Sequence, residues 1–311
     1  MAVVDEPTGF HIVPQSEYRG QPTFFQKLRE RCSVQDKNRV WYDEKRFLAK
    51  PQRFCIYCGG AGLTKEHIWG NWLKNHIPRD MPHYSQYSAW VHPTHTDAVQ
   101  KKHPGDIHSR KPRIVCELCN TGWMSRLQET TKPILLPLIG GKKTELTPRD
   151  QRCLAAWCCM VAMNAEYVNT DRVAIQQKDR DCLHLTGVAP NNWTIRIANY
   201  IRGVWPGHMV HNVFRIDSED RPKVNVKGLP IPNTQTTTFV VGRLYVHCFS
   251  SIRPALAHRN PPHAPGSTKL QQIWPARSYA IIWPQPALTD IQADKIANEF
   301  FAKAKSGRYG R

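Results

Sequence analysis

No run of about 18 apolar residues occurs anywhere in the 311 residues, so the sequence offers no membrane-spanning helix. The opening MAVVDEPTGF has neither a basic n-region nor an apolar h-region, so no signal peptide is expected and a cytoplasmic location is. No internal repeat is evident. Acidic residues are scarce: 25 Asp and Glu face 43 Lys and Arg, a net charge of +18. That imbalance raises the local concentration of polyanions, with phosphate backbones first among them. The excess is spread along the chain, +8 over residues 1–150 and +10 over 151–311, so it is not a basic tail on a neutral body. Contact with nucleic acid on more than one segment fits this distribution, and so does a solvated basic face. Disorder is excluded by the 41% of hydrophobic residues and the ten Trp, which supply surface enough for a real core. Length allows one large domain or two of ordinary size, at roughly 100–200 residues each.

Ten cysteines are present, and in a reducing compartment pairs at short spacing are metal ligands before they are disulfides. Cys55-Ile-Tyr-Cys58, followed by Gly59-Gly60, is one such pair, and Cys116-Glu-Leu-Cys119 is the other. Each C-x-x-C holds two thiolates in one knuckle, and two knuckles complete a tetrahedral zinc shell with no open position, the structural kind of site. Between them the chain must form a loop or insertion. Cys32, Cys153, Cys158, Cys159, Cys182 and Cys248 lack ligand spacing and read as structural thiols of the core. A thioredoxin-like redox role lacks the strand and helix context that it requires.

Lys65-Glu66-His67-Ile68 follows the first knuckle, and Asn120 follows the second directly. A C-x-x-C knuckle, an acidic-His-Ile element and a second C-x-x-C followed by Asn resemble the zinc-bearing subgroup of HNH endonucleases. The resemblance covers residues 55 to about 130. It implies an α+β chain with a ββα-metal, treble-clef-like core braced by Zn2+ on Cys55, Cys58, Cys116 and Cys119. It further implies His67 as general base, with Glu66 and Asn120 as ligands of a catalytic Mg2+ or Mn2+. These residue types suit the chemistry. An imidazole with an ordinary pKa near ~6.5 can take a proton from water at neutral pH. Carboxylate and amide oxygens suit a hard cation that polarises a phosphate.

The middle Asn of the HNH pattern is missing from Asp106-Ile-His108-Ser-Arg-Lys-Pro-Arg-Ile-Val-Cys116. His108 is its first substitute and Asp106 its second. If neither serves, the core is a metal-supported binding module without catalysis. Loss of any one zinc thiolate is expected to abolish folding of residues 50–130. The histidine-rich, proline-punctuated stretch from His76 to His108 reads as an Ω-type loop over the site. Lys65, Lys101, Lys102, Arg110, Lys111, Arg113 and Arg126 are assigned phosphate contacts, their alternative being an exposed basic face.

The expected organisation is an arm of interleaved basic and aromatic residues over 1–50, the zinc-braced core over 51–132 and a linker over 133–148. A mixed α+β domain over 149–305 and a basic tail over 306–311 complete it. Thr147 and Pro148 open a helix whose Leu154, Trp157, Cys158, Val161 and Ala165 share a face. Alternation at Trp193–Ile197 and Leu244–Cys248 reads as strands, a third apolar run surrounds Tyr279–Trp283, and Thr289 with Gln292 starts a last helix over Ala293, Ile296, Ala297 and Phe300. An antiparallel sheet with helices on one side is expected from these elements. DNA is the expected partner, there is no membrane, and the C-terminal domain could read the target, dock a partner or hold a second protomer in a homo-oligomer.

Overall fold

The computed structural model describes residues 54–76, 83–92, 95–104, 111–168, 172–201, 203, 208–215, 231–253, 256 and 262–305, with the backbone alone for 83–92, 95–104, 208, 301, 304 and 305. The arm over 1–50, the tail over 306–311, and Asp106, His108 and Arg110 lie outside the described residues. In chain order the elements are β1 (Leu63–Lys65), β2 (His83–His92), β3 (His95–Pro104), β4 (Arg113–Cys116) and α1 (Ser125–Ile139). Then come β5 (Thr144–Leu146), α2 (Pro148–Ala165), α3 (Gln177–Thr186), β6 (Trp193–Asn199), β7 (His208–Phe214), β8 (Thr234–Val241) and β9 (Leu244–Ser251). β10 (Gln271–Trp274), β11 (Ile281–Trp283) and α4 (Asp290–Lys305) close the described chain. The protein is thus mixed α+β. None of its described helices is long and apolar enough to cross a membrane.

Helix α2 starts as its sequence dictates. The Thr147 side chain accepts from the Asp150 backbone N–H at 3.2 Å, and the Asp150 carboxylate accepts from the Thr147 backbone N–H at 3.0 Å, a closed capping box with Pro148 in the first turn. Its burial exceeds one face, since every residue from Leu154 to Ala165 is buried. The reason is position: α2 lies between α1, α3 and the main sheet, so apolar surface is needed all round. At α4 the Thr289 backbone N–H donates to the Gln292 side chain at 3.2 Å and the Thr289 hydroxyl accepts from the Gln292 N–H at 3.4 Å.

Seven strands form the main sheet in the order β10-β6-β9-β8-β7-β2-β3. All neighbours are antiparallel except β2 and β7, which run parallel with Ser85 beside His208 and Val91 beside Phe214. Strands β6, β8 and β9 are buried along their whole length. Alternate residues feed two cores. Ile195, Ile197, Phe239, Val246 and Cys248 join the cluster around α2, while Ala198, Val210, Val240 and Tyr245 meet Ala293, Ile296 and Ala297 of α4. Helices therefore cover both faces of the sheet, not one.

Two further expectations are corrected. Much of the segment from His76 to His108 is a hairpin of two ten-residue strands rather than an Ω-type loop. Its prolines, Pro82, Pro93 and Pro104, bound the strands instead of interrupting them, which leaves the ladder hydrogen bonds intact. Nor do residues 133–139 form a linker, because Pro133 and Pro137 lie inside α1. Each removes a helical N–H donor. Burial of Leu127, Thr131, Leu135, Leu138 and Ile139 holds the helix regardless, tertiary packing outweighing propensity. Only Gly140–Lys143 separates α1 from β5, and one hydrophobic cluster runs from Cys55 through Leu138 and Trp157 to Trp283, across the expected domain boundary.

Candidate metal centre

A single turn carries the first cysteine pair. The Cys55 N–H donates to the Gly60 carbonyl at 2.8 Å and the Gly59 N–H to the Cys55 carbonyl at 2.9 Å, with Gly59 at φ +72°, where a side chain would be strained. The Gly60 N–H points at Cys58 Sγ, 3.3 Å away. The second pair sits where β4 gives way to a helical turn, Glu117–Cys119. Pairing of β1 with β4, Leu63 beside Cys116 and Thr64 beside Val115, sets its position, and the Ile56 N–H bonds the Ile114 carbonyl at 3.0 Å to dock the knuckle on β4.

These two turns bring the four thiols together. All four Sγ atoms lie within 4.8 Å of one another and all four residues are buried. The Cys58 and Cys116 sulfurs are 3.5 Å apart, too far for a disulfide, and all four cysteines are free. A tetrahedral ion at about 2.3 Å from each sulfur needs sulfurs ~3.8 Å apart, so the set fits zinc. Electrostatics points the same way. Hydrogen bonds from Cys119, then Cys55 and Cys58, pull the Cys116 thiol far below its ordinary pKa, while Cys119 and Cys58 are pushed far up, each chiefly by Cys116. A divalent ion is what allows four thiolates in so small a volume. Among the described residues this is the one group of three or more His, Cys, Asp or Glu side chains placed to hold a metal.

The centre is fastened to the C-terminal half. Tyr57, with no exposed surface, donates its hydroxyl to Asn164 Oδ1 of α2 at 2.9 Å and stacks edge-on against Trp123 at 4.8 Å. Gln177 of α3 donates to the Ile56 carbonyl at 3.0 Å. From α3 as well, His184 Nε2 lies 4.0 Å from Cys119 Sγ, and its ring lies 5.7 Å from that of Trp123. Sequence reasoning missed His184, which is 65 residues from its sulfur and carries no spacing signal.

Glu66 and Asn120 meet at the mouth of the β1–β4 pair. The Glu66 backbone N–H bonds the Pro112 carbonyl at 3.1 Å, which turns its side chain inward to 6% exposure. Burial pushes the Glu66 carboxyl up to about 7, opposed by hydrogen bonds from the Asn120 amide and the His67 backbone N–H and by the charge of Lys111. Asn120 also donates to Thr64 Oγ1 at 3.2 Å, and that hydroxyl donates to the Val115 carbonyl at 3.2 Å. Past Asn120 the chain makes a π-type turn, Asn120–Met124, before α1. His67 is half-buried, and the following Ile68 and Trp69 are driven into the core, where the Trp69 ring lies 4.9 Å from that of Phe239.

Of the residues assigned to phosphate, Lys65, Lys111 and Arg113 are exposed around the same strand pair, with Lys65 opposite Arg113. Arg126 is exposed on the first turn of α1. Lys101 and Lys102 belong instead to β3, at the edge of the seven-stranded sheet opposite Gln86 and Ser85, not to a loop over the thiols. Fold and centre together define a mixed α+β protein with a four-cysteine site positioned to bind a metal ion such as zinc. No family model, curated protein or solved structure matches the chain.

Proposed function

We propose that the protein is a metal-dependent, HNH-like endonuclease that hydrolyses DNA phosphodiester bonds. The observation that carries this reading is the meeting of Glu66 and Asn120, 54 positions apart in the chain, beside the four-cysteine centre and next to His67. A knuckle, a strand pair and a helix bearing the second cysteine pair at its start also follow one another in the order of a treble-clef, ββα-metal core. Zinc on Cys55, Cys58, Cys116 and Cys119 would brace that core.

Glu66 and Asn120 would hold Mg2+ or Mn2+, whose charge would favour the ionised carboxylate against the burial that raises its pKa. When bound, the cation supplies Lewis acidity toward the scissile phosphate and its leaving oxygen. His67, beside Glu66 and half-buried, would take the proton from the attacking water. Lys65, Lys111, Arg113 and Arg126 are exposed where they would draw the backbone toward this point.

A second reading, a zinc-stabilised nucleic-acid-binding module with an inactive core, is favoured by one observation. The Glu66 carboxylate is buried against Asn120, and two protein ligands are few for a cation site. Plasmid incubation with Mg2+ or Mn2+ separates the two. Wild type is expected to nick or linearise DNA, and His67→Ala to lose about 10²-fold or more of that rate. Equal inertness of both proteins under either metal, with DNA binding intact, would establish the binding module.

A further inference from the structure

Helix α3 lies across both cysteine knuckles. Gln177 in its first turn donates to the Ile56 carbonyl of the first knuckle at 3.0 Å, and His184 in its last turn brings Nε2 to 4.0 Å from Cys119 Sγ of the second. The two residues are seven positions apart, two helical turns, and so share one face. The His184 ring lies 5.7 Å from that of Trp123, which in turn meets Tyr57 edge-on at 4.8 Å. Leu183, beside it in the chain, is fully buried, and the helix closes at Gly187, whose N–H bonds the Leu183 carbonyl at 2.9 Å. Packing therefore fixes the place of the imidazole.

Four thiolates around one divalent cation carry two negative charges in excess, and all four cysteines are buried. A buried anion is tolerated when N–H donors replace the water it has lost. Two of the sulfurs find such donors inside their own knuckles: Cys58 Sγ faces the Gly60 N–H at 3.3 Å, and the Cys116 sulfur accepts from the Cys119 backbone N–H. Cys119 differs, because the ring that faces its sulfur belongs to a residue 65 positions further along the chain. Four thiolates already close a tetrahedral shell, so His184 has no place in it as a fifth ligand. A thiolate only accepts hydrogen bonds. The ring nitrogen that faces it is then the protonated one, the Nε2–H tautomer of a neutral imidazole, assigned by its acceptor.

We propose that His184, through its Nε2–H, holds the Cys119 thiolate of the loaded centre and sets how tightly and how durably that centre keeps zinc. It is a positioning residue that acts on the metal through Cys119. A hydrogen bond to a metal-bound thiolate fixes its orientation and draws electron density from the sulfur, which lowers its reactivity toward electrophiles. The proposal concerns the four-cysteine centre and stands whether or not the Glu66–His67–Asn120 site is catalytic.

The test uses the full zinc-loaded chain. His184→Gln keeps an N–H donor at the place of Nε2, whereas His184→Phe keeps an aromatic ring against Trp123 and removes the donor. Zinc affinity is read by competition with a chromophoric chelator, and zinc release is timed after addition of N-ethylmaleimide. His184→Phe is expected to bind zinc about 10-fold more weakly and to release it faster, with His184→Gln within about 3-fold of wild type in both. With Co2+ in place of zinc, the thiolate-to-metal charge-transfer band of His184→Phe is expected to move to lower energy, which loss of packing alone does not do. Wild type loaded with an NMR-active cadmium isotope is expected to show coupling between the His184 Nε2 proton and the metal across the hydrogen bond, a reading that needs no variant. Equal affinity, release and band position in wild type and His184→Phe overturn the proposal, as does an equal loss in both variants with the band unmoved. If His184→Phe does not fold, absence of the cadmium coupling overturns it.

Discussion

Replacing Cys119 with Ser tests how much of the fold the four-cysteine centre holds. The substitution removes one of four buried thiols and leaves a hydroxyl that is a poor zinc ligand. Without the metal the first knuckle is free to leave β4. Ile56 and Tyr57 have no exposed surface, and each is worth about 2 kcal/mol of apolar burial. The bonds from Tyr57 to Asn164 and from Gln177 to the Ile56 carbonyl contribute about 1 kcal/mol each. Release of the knuckle thus costs about 6 kcal/mol, within the ~5–15 kcal/mol that stabilises a whole domain. Zinc content by mass spectrometry should fall below one per chain, and the thermal midpoint by roughly 12–24 °C at 2–4 °C per kcal/mol. Because one hydrophobic cluster spans Cys55 to Trp283, the loss should appear as a single shifted transition of the entire protein, not as the unfolding of residues 50–130 alone. Chelation of the wild type should reproduce it. A metal-free Cys119→Ser protein melting within about 3 °C of wild type would refute the reasoning.

The buried ion pair of Arg180 with Glu166 gives a second prediction: Arg180→Met strands a carboxylate that also caps the Ala174 and Ile175 N–H groups at 3.0 and 3.2 Å. Urea denaturation should show a loss of about 3–5 kcal/mol, much of it restored by adding Glu166→Gln. A third concerns pH. Burial lowers the pKa of His211 to about 4 and of His247 to about 3, from an ordinary 6.5. The unfolded chain then binds protons below pH 6.5 that the folded one refuses. Stability is therefore complete above pH 6.5 and declines as pH falls toward 4 and 3, by up to about 2.7 kcal/mol per pH unit for the two histidines together. Denaturation midpoints across pH 4–8 check this, and His247→Gln should flatten the slope by half.

Features written within a few residues were legible before any coordinates. The cysteine pairs, the Thr147–Asp150 cap with Pro148 and the Thr289–Gln292 cap depend on local spacing, and the chain observes them. Glu66 and Asn120 were linked in the sequence only through a resemblance, and their contact follows from the β1–β4 pairing. What escaped was decided at long range. Proline at 133 and 137 reads as a helix breaker until burial of Leu135 and Leu138 is known. Polar threonines in β8, Thr234, Thr236, Thr237 and Thr238, give no sign of being buried on both faces, because that depends on helices from distant segments. His184 likewise takes its meaning from neighbours on other elements.

Parallel pairing of β2 with β7 has a consequence for how the protein is made. Ser85 must find His208, 123 positions later in the chain, and a contact so distant has a high loop-closure cost and slows folding. On a ribosome adding ~5–20 residues per second, the β2–β3 hairpin emerges roughly 5–21 s before its partner strand exists. For that interval β2 is an open edge, able to pair with another nascent chain. Chaperone demand and aggregation during synthesis should therefore track the delay between these two strands, more than the stability of the finished fold.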